Sequence, residues 1–263
     1  MAIPKKLRYF LENKKWYLRF RYSELFLNSW LKLRKDVRRY LQDQQHVYQN
    51  MLTSLPVEQS PVIFDIGANE GFHTQLFKNL GYNVIAVEPS PRNVAILKTR
   101  FSHDPMVEII AAAVSDKCAS ATFIENTTDF ALGTLSEKWS DVQKQEPGAG
   151  FNKIIVETVT LDHLITKFGK PVFVKIDVEG YEETVLAGLT QAIPLISFEA
   201  ILPKFLPECE RCIMQLAKLS SAATFSFSTG NQTEPDDFIT WQEMVQVARN
   251  STAVTLNILC KTF

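Results

Sequence analysis

The sequence predicts an α/β fold with a doubly wound, mostly parallel sheet of seven strands, helices on both of its faces, and an N-terminal helical appendage. From Pro61 onward, short apolar runs alternate with helical segments, which is the pattern of parallel strands buried between helices. A charge asymmetry sets the first 56 residues apart from the rest. Glycine and acidic residues follow the apolar runs, at the points where such sheets bind ligands.

The N-terminal segment 1–56 is basic and has the period of an amphipathic helix. It holds 12 lysines and arginines against four acids, a net charge of +8, whereas residues 57–263 hold 16 basic and 25 acidic residues, a net charge of −9. Its apolar residues recur every three or four positions, at Tyr22, Phe26, Trp30, Leu33, Val37 and Leu41. We predict a helical appendage, 1–56, that packs on a main domain, 57–263. A lid over the substrate and a peripheral contact with an anionic surface are the alternatives.

The composition excludes several classes of protein. Hydrophobic residues form 46% of the 263 residues and charged residues 22%, so the chain is neither disordered nor collagen-like. No run reaches the roughly 18 uninterrupted apolar residues of a membrane span. The basic N-terminus is not followed by the apolar segment of a secretion signal. We therefore expect a cytoplasmic protein.

Seven apolar runs supply the strands of the main sheet. They are 62–65, 83–88, 107–114, 172–177, 195–201, 224–228 and 254–261, the last two being expected as an antiparallel hairpin at the edge. Helices are expected to about Leu80, from Pro91, and over 161–168, 182–189 and 208–221. Residues 121–125 and 154–160 predict two further strands. Their connection contains Pro147, Gly148 and Gly150 and is long for a compact domain, which indicates a functional or mobile segment.

The first strand leads into a glycine turn, DIGANEG at 65–71. Gly67 permits the tight turn and Gly71 allows the close approach of backbone and helix. The dinucleotide-binding fingerprint has the spacing G-x-G-x-x-G, whereas the spacing here is D-x-G-x-x-x-G. The carboxylate of Asp65 would repel a pyrophosphate and attract an ammonium group. The turn therefore argues against NAD and favours a cofactor that carries an amino acid.

Glu88 ends the second strand, 23 residues after Asp65. An acid at about this spacing accepts hydrogen bonds from the ribose hydroxyls of an adenosine. Strand, glycine turn, helix, strand and acid in one run resemble the class I S-adenosylmethionine-dependent methyltransferases, which have a Rossmann-like sheet. The segments KIDVEGYE at 175–182 and VLAG at 185–188 are similar to the K-I-D-V-E-G-x-E-x-x-V-L-x-G motif of the FkbM family within that class. TLD at 160–162 and AVSD at 113–116 resemble two further elements of the same family.

The resemblance covers roughly residues 62–199 and implies a role for particular positions. It implies that the methionine part of S-adenosylmethionine is held by Asp65, Gly67, Asn69, Gly71 and Thr74, the ribose by Glu88 with Pro89 and Ser90, and the adenine by Ala113, Val114 and Ser115. It also places Asp177 and Glu179 beside the transferred methyl group and the acceptor. His73, in the glycine turn, is expected in a surface or capping role.

The resemblance further implies methyl transfer to a hydroxyl of a sugar, glycolipid or secondary metabolite, and hence a small-molecule or glycan acceptor and no nucleic acid. Asp177 is the favoured base, because it ends a strand over the crevice; Glu179 and Glu199 are alternatives. The same carboxylates could bind a divalent metal, Mg²⁺ or Ca²⁺, although a site without metal is favoured. Methylation of nitrogen or of a carboxylate, and a cofactor-binding protein without transfer activity, are the alternative functions.

Overall fold

The computed structural model describes residues 35–53, 55, 61–145, 150–229 and 237–263, together with 17, 20–22 and 26. From Lys35 onward the described residues form eight α-helices and ten strands. In chain order they are α1 (Lys35–Thr53), β1 (Val62–Ile66), α2 (Phe72–Asn79), β2 (Asn83–Val87), α3 (Pro91–Arg100), β3 (Val107–Ile110), β4 (Ala113–Val114), β5 (Ala119–Asn126), α4 (Glu137–Gln143), β6 (Phe151–Val159), α5 (Leu161–Phe168), β7 (Phe173–Ile176), α6 (Glu182–Ala187), β8 (Leu195–Ile201), α7 (Leu206–Leu219), β9 (Thr224–Ser228), α8 (Trp241–Asn250) and β10 (Thr255–Lys261). None of the helices in these ranges is long and apolar enough to cross a membrane.

Seven strands form the main sheet, in the order β3-β2-β1-β7-β8-β10-β9. The first five strands of that order pair in parallel, whereas β10 is antiparallel to both β8 and β9. The predicted seven-stranded, mostly parallel sheet is therefore confirmed. The last two strands do pair in antiparallel fashion. However, β10 lies between β8 and β9, so that β9 alone forms this edge of the sheet and β3 forms the opposite edge.

Helices cover both faces of this sheet, as the doubly wound prediction requires. Successive side chains of a strand point to opposite faces. Phe64 and Ile176 lie on one face, in the largest apolar cluster, together with residues of α5, α6, α7 and α8. Ile63 and Phe173 lie on the other face and pack against Phe77 of α2.

The strands β4, β6 and β5 form a separate three-stranded sheet. The predicted strand 107–114 is divided between the two sheets, because the Ala112 amide bonds back to the Ile110 carbonyl at 3.0 Å and turns the chain. The strands predicted at 121–125 and 154–160 are present as β5 and β6. Their long connection contains a 3₁₀ turn, Phe130–Leu132, and helix α4. Pro147 and Gly148 lie outside the described residues.

The last part of the basic appendage is helical, as its period predicts. Leu52 of α1 and Leu55 are buried in the cluster around Ile63, so this end of the appendage packs on the sheet. Tyr22 is buried beside Ile96 of α3. Trp30, Leu33 and the side chains of Val37 and Leu41 lie outside the described residues. The division of the chain after residue 56 stays a prediction.

Candidate active site

Two cavities lie at the carboxyl ends of the parallel strands, where an open α/β sheet binds ligands. The first, which we call the glycine-turn cavity, encloses about 510 Å³ of space, part of it open to solvent. The residues that line it are Ile66, Gly67, Asn69, Val87, Glu88, Pro89, Asn93, Ala112, Ala113, Val114, Phe123, Ala131, Gly133, Thr134, Leu135, Asp177, Val178 and Tyr181.

The glycine turn forms one wall of this cavity in a conformation that depends on its residue types. Gly67 has φ +80°, and a Cβ there would lie 1.9 Å from the Asp177 carbonyl oxygen. Asn69 has φ +49°, in the left-handed region that asparagine tolerates better than most residues. Gly71, at φ +79°, begins α2 and leaves no room for a Cβ beside Leu97 and Phe101. The turn is thus held close to the end of β7.

Glu88 is the buried acid of this cavity, with 4% of its surface exposed. Its Oε2 accepts a hydrogen bond from the Asn69 amide and its Oε1 one from the Ser90 amide, both at 2.8 Å. The Asn93 side chain also donates a hydrogen bond to this carboxylate. Burial raises the pKa of Glu88 to about 7, against the opposing effect of these backbone hydrogen bonds.

Asp65 and Thr74 bond to each other beneath the turn. The Thr74 hydroxyl donates to Asp65 Oδ2 at 2.6 Å, and both residues are fully buried. Asp65 Oδ1 has no hydrogen-bond partner among the described residues. Burial raises the pKa of Asp65, although Lys175 acts in the opposite direction. Neither residue lines the glycine-turn cavity.

Of the other positions expected to bind a cofactor, Pro89, Ala113 and Val114 line the cavity, whereas Gly71, Ser90 and Ser115 do not. The Ser90 hydroxyl donates to Glu125, and Ser115 Oγ lies 3.2 Å from the Tyr181 hydroxyl, which reaches the cavity. Six lining residues were not predicted from the sequence to bind a ligand: Phe123, Tyr181, Ala131, Gly133, Thr134 and Leu135. The last four form a wall of the cavity. That wall comes from the connection between β5 and β6, whose length was the available signal.

The second cavity, which we call the α1 cavity, encloses about 920 Å³ of space, also partly open. Helix α1 forms one wall, and residues of β7, β8, β9 and β10 form the floor. The lining residues are Gln44, Val47, Tyr48, Met51, His73, Lys175, Ile176, Asp177, Ser197, Phe198, Glu199, Ser228, Asn257, Ile258 and Leu259. His73, expected in a surface or capping role, is among the residues that line this cavity. Its pKa is lowered to about 3 by burial and by Lys175, so that it is neutral at ordinary pH.

Asp177 is the only described residue that lines both cavities. Its Oδ2 accepts a hydrogen bond from Lys175 Nζ at 2.8 Å. Burial alone would raise the pKa of Asp177, but the Lys175 ammonium outweighs this effect and holds that pKa below its usual value. An ionised acid is therefore shared by the linings of the two cavities.

Two further acids lie close to Asp177. Oxygen atoms of Asp177, Glu179 and Glu199 lie within 4.8 Å of one another. Burial, and then the charge of Asp177, raise the pKa of Glu179 to about 9 and that of Glu199 to about 7. Glu179 has φ +57°, and its carbonyl oxygen accepts a hydrogen bond from Thr134 at 2.8 Å. Three carboxylates at this spacing can share a proton or hold a divalent cation.

Comparison with known proteins places this site in a family. The sequence profile of the methyltransferase FkbM domain matches residues 65–219, more than half of the chain. Hexuronic acid methyltransferase AglP of Haloferax volcanii is 28% identical over 163 residues, which are 61% of this chain and 62% of that protein. The match therefore spans less than two thirds of the relative's length.

Solved structures also align over most of the chain. Precorrin-6y C5,15-methyltransferase of Geobacter metallireducens GS-15 aligns with a TM-score of 0.42 and 12% identity, over 81% of this chain and 84% of that chain. The plantazolicin methyltransferase BpumL in complex with SAH aligns with a TM-score of 0.41 and 11% identity, over 98% of this chain and 99% of that chain.

Proposed function

The chain belongs to the FkbM methyltransferase family, and from that premise we propose that it transfers the methyl group of S-adenosylmethionine to a hydroxyl oxygen of a sugar, glycolipid or secondary metabolite. The observation that carries this proposal is the position of Asp177, an acidic residue that belongs to the linings of both cavities. A donor in the glycine-turn cavity and an acceptor in the α1 cavity would meet beside it. The name of the hexuronic acid methyltransferase favours a sugar among these acceptors.

The glycine-turn cavity fits the adenosine and methionine parts of the cofactor. Glu88 lines this cavity, and its carboxylate would accept charge-assisted hydrogen bonds from the ribose hydroxyls. Val114 and Phe123 supply apolar surface for the adenine. Gly67 and Asn69 would lie along the methionine part. For Asp65 and Thr74 we propose a supporting role, in which their hydrogen bond fixes the start of α2 against β1.

S-adenosylmethionine, when bound, supplies a methyl group on a sulfonium, so that a C–O bond forms as the S–C bond breaks and a neutral thioether remains. Asp177 would accept the proton of the attacking hydroxyl. Lys175 keeps Asp177 ionised and holds one of its oxygens in place, which leaves the other oxygen for the acceptor. Glu199, whose pKa is about 7, could then take up the proton near neutral pH.

Transfer of an isotope label tests the proposed function. The protein is incubated with S-adenosylmethionine labelled in its methyl group and with a cell extract, and the labelled product is identified by mass spectrometry and NMR. We expect the label in a methoxy group. A label on nitrogen or in a methyl ester would replace the hydroxyl assignment. Binding of the cofactor without any transfer of label would indicate a cofactor-binding protein.

The pKa of Glu88 predicts how cofactor binding depends on pH. The ribose hydroxyls donate to the ionised carboxylate, and in the free protein that form is lost as the pH falls through about 7. The affinity for S-adenosylhomocysteine should therefore be constant above about pH 8 and fall by roughly tenfold between pH 8 and pH 6. Calorimetry at several pH values measures this change. Glu88→Gln should bind more weakly but without the dependence, and an unchanged pH profile in that variant would contradict the assignment.

A further inference from the structure

We infer that the α1 cavity binds the acceptor as an uncharged, polyhydroxylated ring, that Gln44 of α1 contributes directly to its recognition, and that Glu199 excludes acidic sugars. This inference rests on the proposed function and adds to it a class of acceptor and two residues that select it.

The floor is polar because the strand register brings polar side chains together on one face of the sheet. Lys175 of β7 is paired with Ser197 of β8. Two residues further along β8, Glu199 is paired with Asn257 of β10, which is paired in turn with Ser228 of β9. Side chains two residues apart on a strand share a face. Hydroxyl, amide and carboxylate groups thus form a surface on which a polyol can make several hydrogen bonds.

The wall over this floor is the amphipathic helix α1. The Tyr48 ring is held by edge contacts with Phe77 and His73, at centroid distances of 4.9 and 5.8 Å, and by a tilted contact with Phe173 at 5.9 Å. Gln44 lies one helical turn before Tyr48, and both line the cavity. A fixed aromatic ring beside an amide is a suitable surface for a sugar ring, which has apolar C–H faces and polar edges.

The charges of the cavity oppose an anionic ligand. Asp177 and Glu199 are its acids, and Lys175 is its one cation among the described lining residues. Lys175 is 8% exposed at its side chain and already donates to Asp177, while Asp65 lies beside it on β1. Its charge is therefore neutralised by residues of the chain. A carboxylate on the acceptor would approach Glu199 and Asp177, and the described lining residues offer no further cation to receive it. We therefore expect the preferred acceptor to differ from the hexuronic acid named for the relative.

Binding of two simple probes tests this inference without measuring turnover. Methyl α-glucopyranoside and its uronate, methyl α-glucopyranosiduronate, are titrated by NMR into the full chain saturated with S-adenosylhomocysteine, with EDTA present to remove divalent cations. The titration is done at about pH 8.5, where Glu199, whose pKa is about 7, is ionised. We expect the neutral glycoside to bind at least about fivefold more tightly, which is the effect of one like-charge contact even in bulk water. Glu199→Gln should reduce this preference. Equal or tighter binding of the uronate by the unaltered protein would overturn the inference.

The helix offers a matched pair of variants. Gln44 lines the cavity, whereas Gln45, the next residue, is exposed and does not. Both substitutions by alanine favour the helix equally. Gln44→Ala should weaken the neutral glycoside roughly three- to tenfold, the loss of one neutral hydrogen bond, and Gln45→Ala should leave it unchanged. Equal affinities in the two variants would remove Gln44 from the site.

The outcomes separate this inference from the proposed function. If neither probe binds but label is transferred to the hydroxyl of another acceptor, the inference is wrong and the function stands. If the neutral glycoside binds with the expected Gln44 dependence but no extract component is ever labelled, the acceptor site stands and methyl transfer is wrong.

Discussion

Asp177→Asn is expected to lower turnover about 10²- to 10⁴-fold, the usual contribution of a positioned base. The amide has the same shape as the carboxylate, but it cannot accept a proton from the acceptor hydroxyl. Because Glu88 and the glycine turn are unchanged, S-adenosylhomocysteine should bind with its original affinity. Single-turnover transfer of labelled methyl and calorimetry measure the two quantities. Asp141→Asn is the control, because Asp141 is an exposed acid that pairs only with Lys144 in the described contacts.

Two results would contradict this role of Asp177. Full turnover in Asp177→Asn would remove the residue from the chemistry. Loss of activity on treatment with a chelator, with recovery on addition of Mg²⁺, would make Asp177, Glu179 and Glu199 ligands of a metal. In that case the cation would activate the acceptor hydroxyl by lowering its pKa, and Asp177 would act as a metal ligand instead of as the base.

Glu88→Ala is expected to weaken binding of S-adenosylhomocysteine by at least about tenfold. The change removes two charge-assisted hydrogen bonds to the ribose, each contributing about 1.5–3 kcal/mol. It also leaves the buried amides of Asn69 and Ser90 without their acceptor, so the melting temperature should fall. Affinity is therefore measured by calorimetry at a temperature well below the unfolding transition.

Glu108→Ala supplies the control for Glu88→Ala. Glu108 is an exposed acid on β3, the strand next to β2, and it does not line the glycine-turn cavity. We expect both its affinity for S-adenosylhomocysteine and its melting temperature to stay unchanged. If Glu88→Ala binds the ligand as well as the unaltered chain does, Glu88 does not hold the ribose.

The main sheet could be predicted because each of its strands is a local signal. The run at 62–64 is apolar on both faces, and Pro91 marks the start of a helix. The division of the predicted strand 107–114 could not be predicted in this way, because it depends on the strand with which each half pairs. β4 pairs with β6, more than 40 residues away in the chain, and β10 likewise finds its place between two strands only in the folded sheet.

The glycine-turn cavity was partly predictable and the α1 cavity was not. Gly67, Asn69 and Glu88 lie within two short motifs, so their proximity follows from one strand–turn–strand unit. Gln44 and Tyr48 belong to a helix whose position on the sheet is set by apolar contacts such as those of Leu52. Such contacts cannot be predicted from a sequence motif. The ion pair between Lys175 and Asp177 could be predicted from their spacing, since residues two apart on a strand share a face.

The burial of Asp65 could not be inferred from the turn sequence. The motif places Asp65 at the end of β1, where its carboxylate was predicted to contact the ligand. In the structure the side chain points to the same face as Lys175 and bonds to Thr74 of the following helix. Which way a strand-end side chain points depends on strand register.

The central claim is that the methyl donor occupies the glycine-turn cavity, that the acceptor occupies the α1 cavity, and that Asp177 lies between them. A crystal structure of the full chain with S-adenosylhomocysteine and methyl α-glucopyranoside tests this claim most directly. We predict that the ribose hydroxyls will contact Glu88, that the sulfur will point toward Asp177, and that the glycoside will lie between α1 and the ends of β7 and β8. S-adenosylhomocysteine in the α1 cavity, or a glycoside bound away from Asp177, would contradict the account.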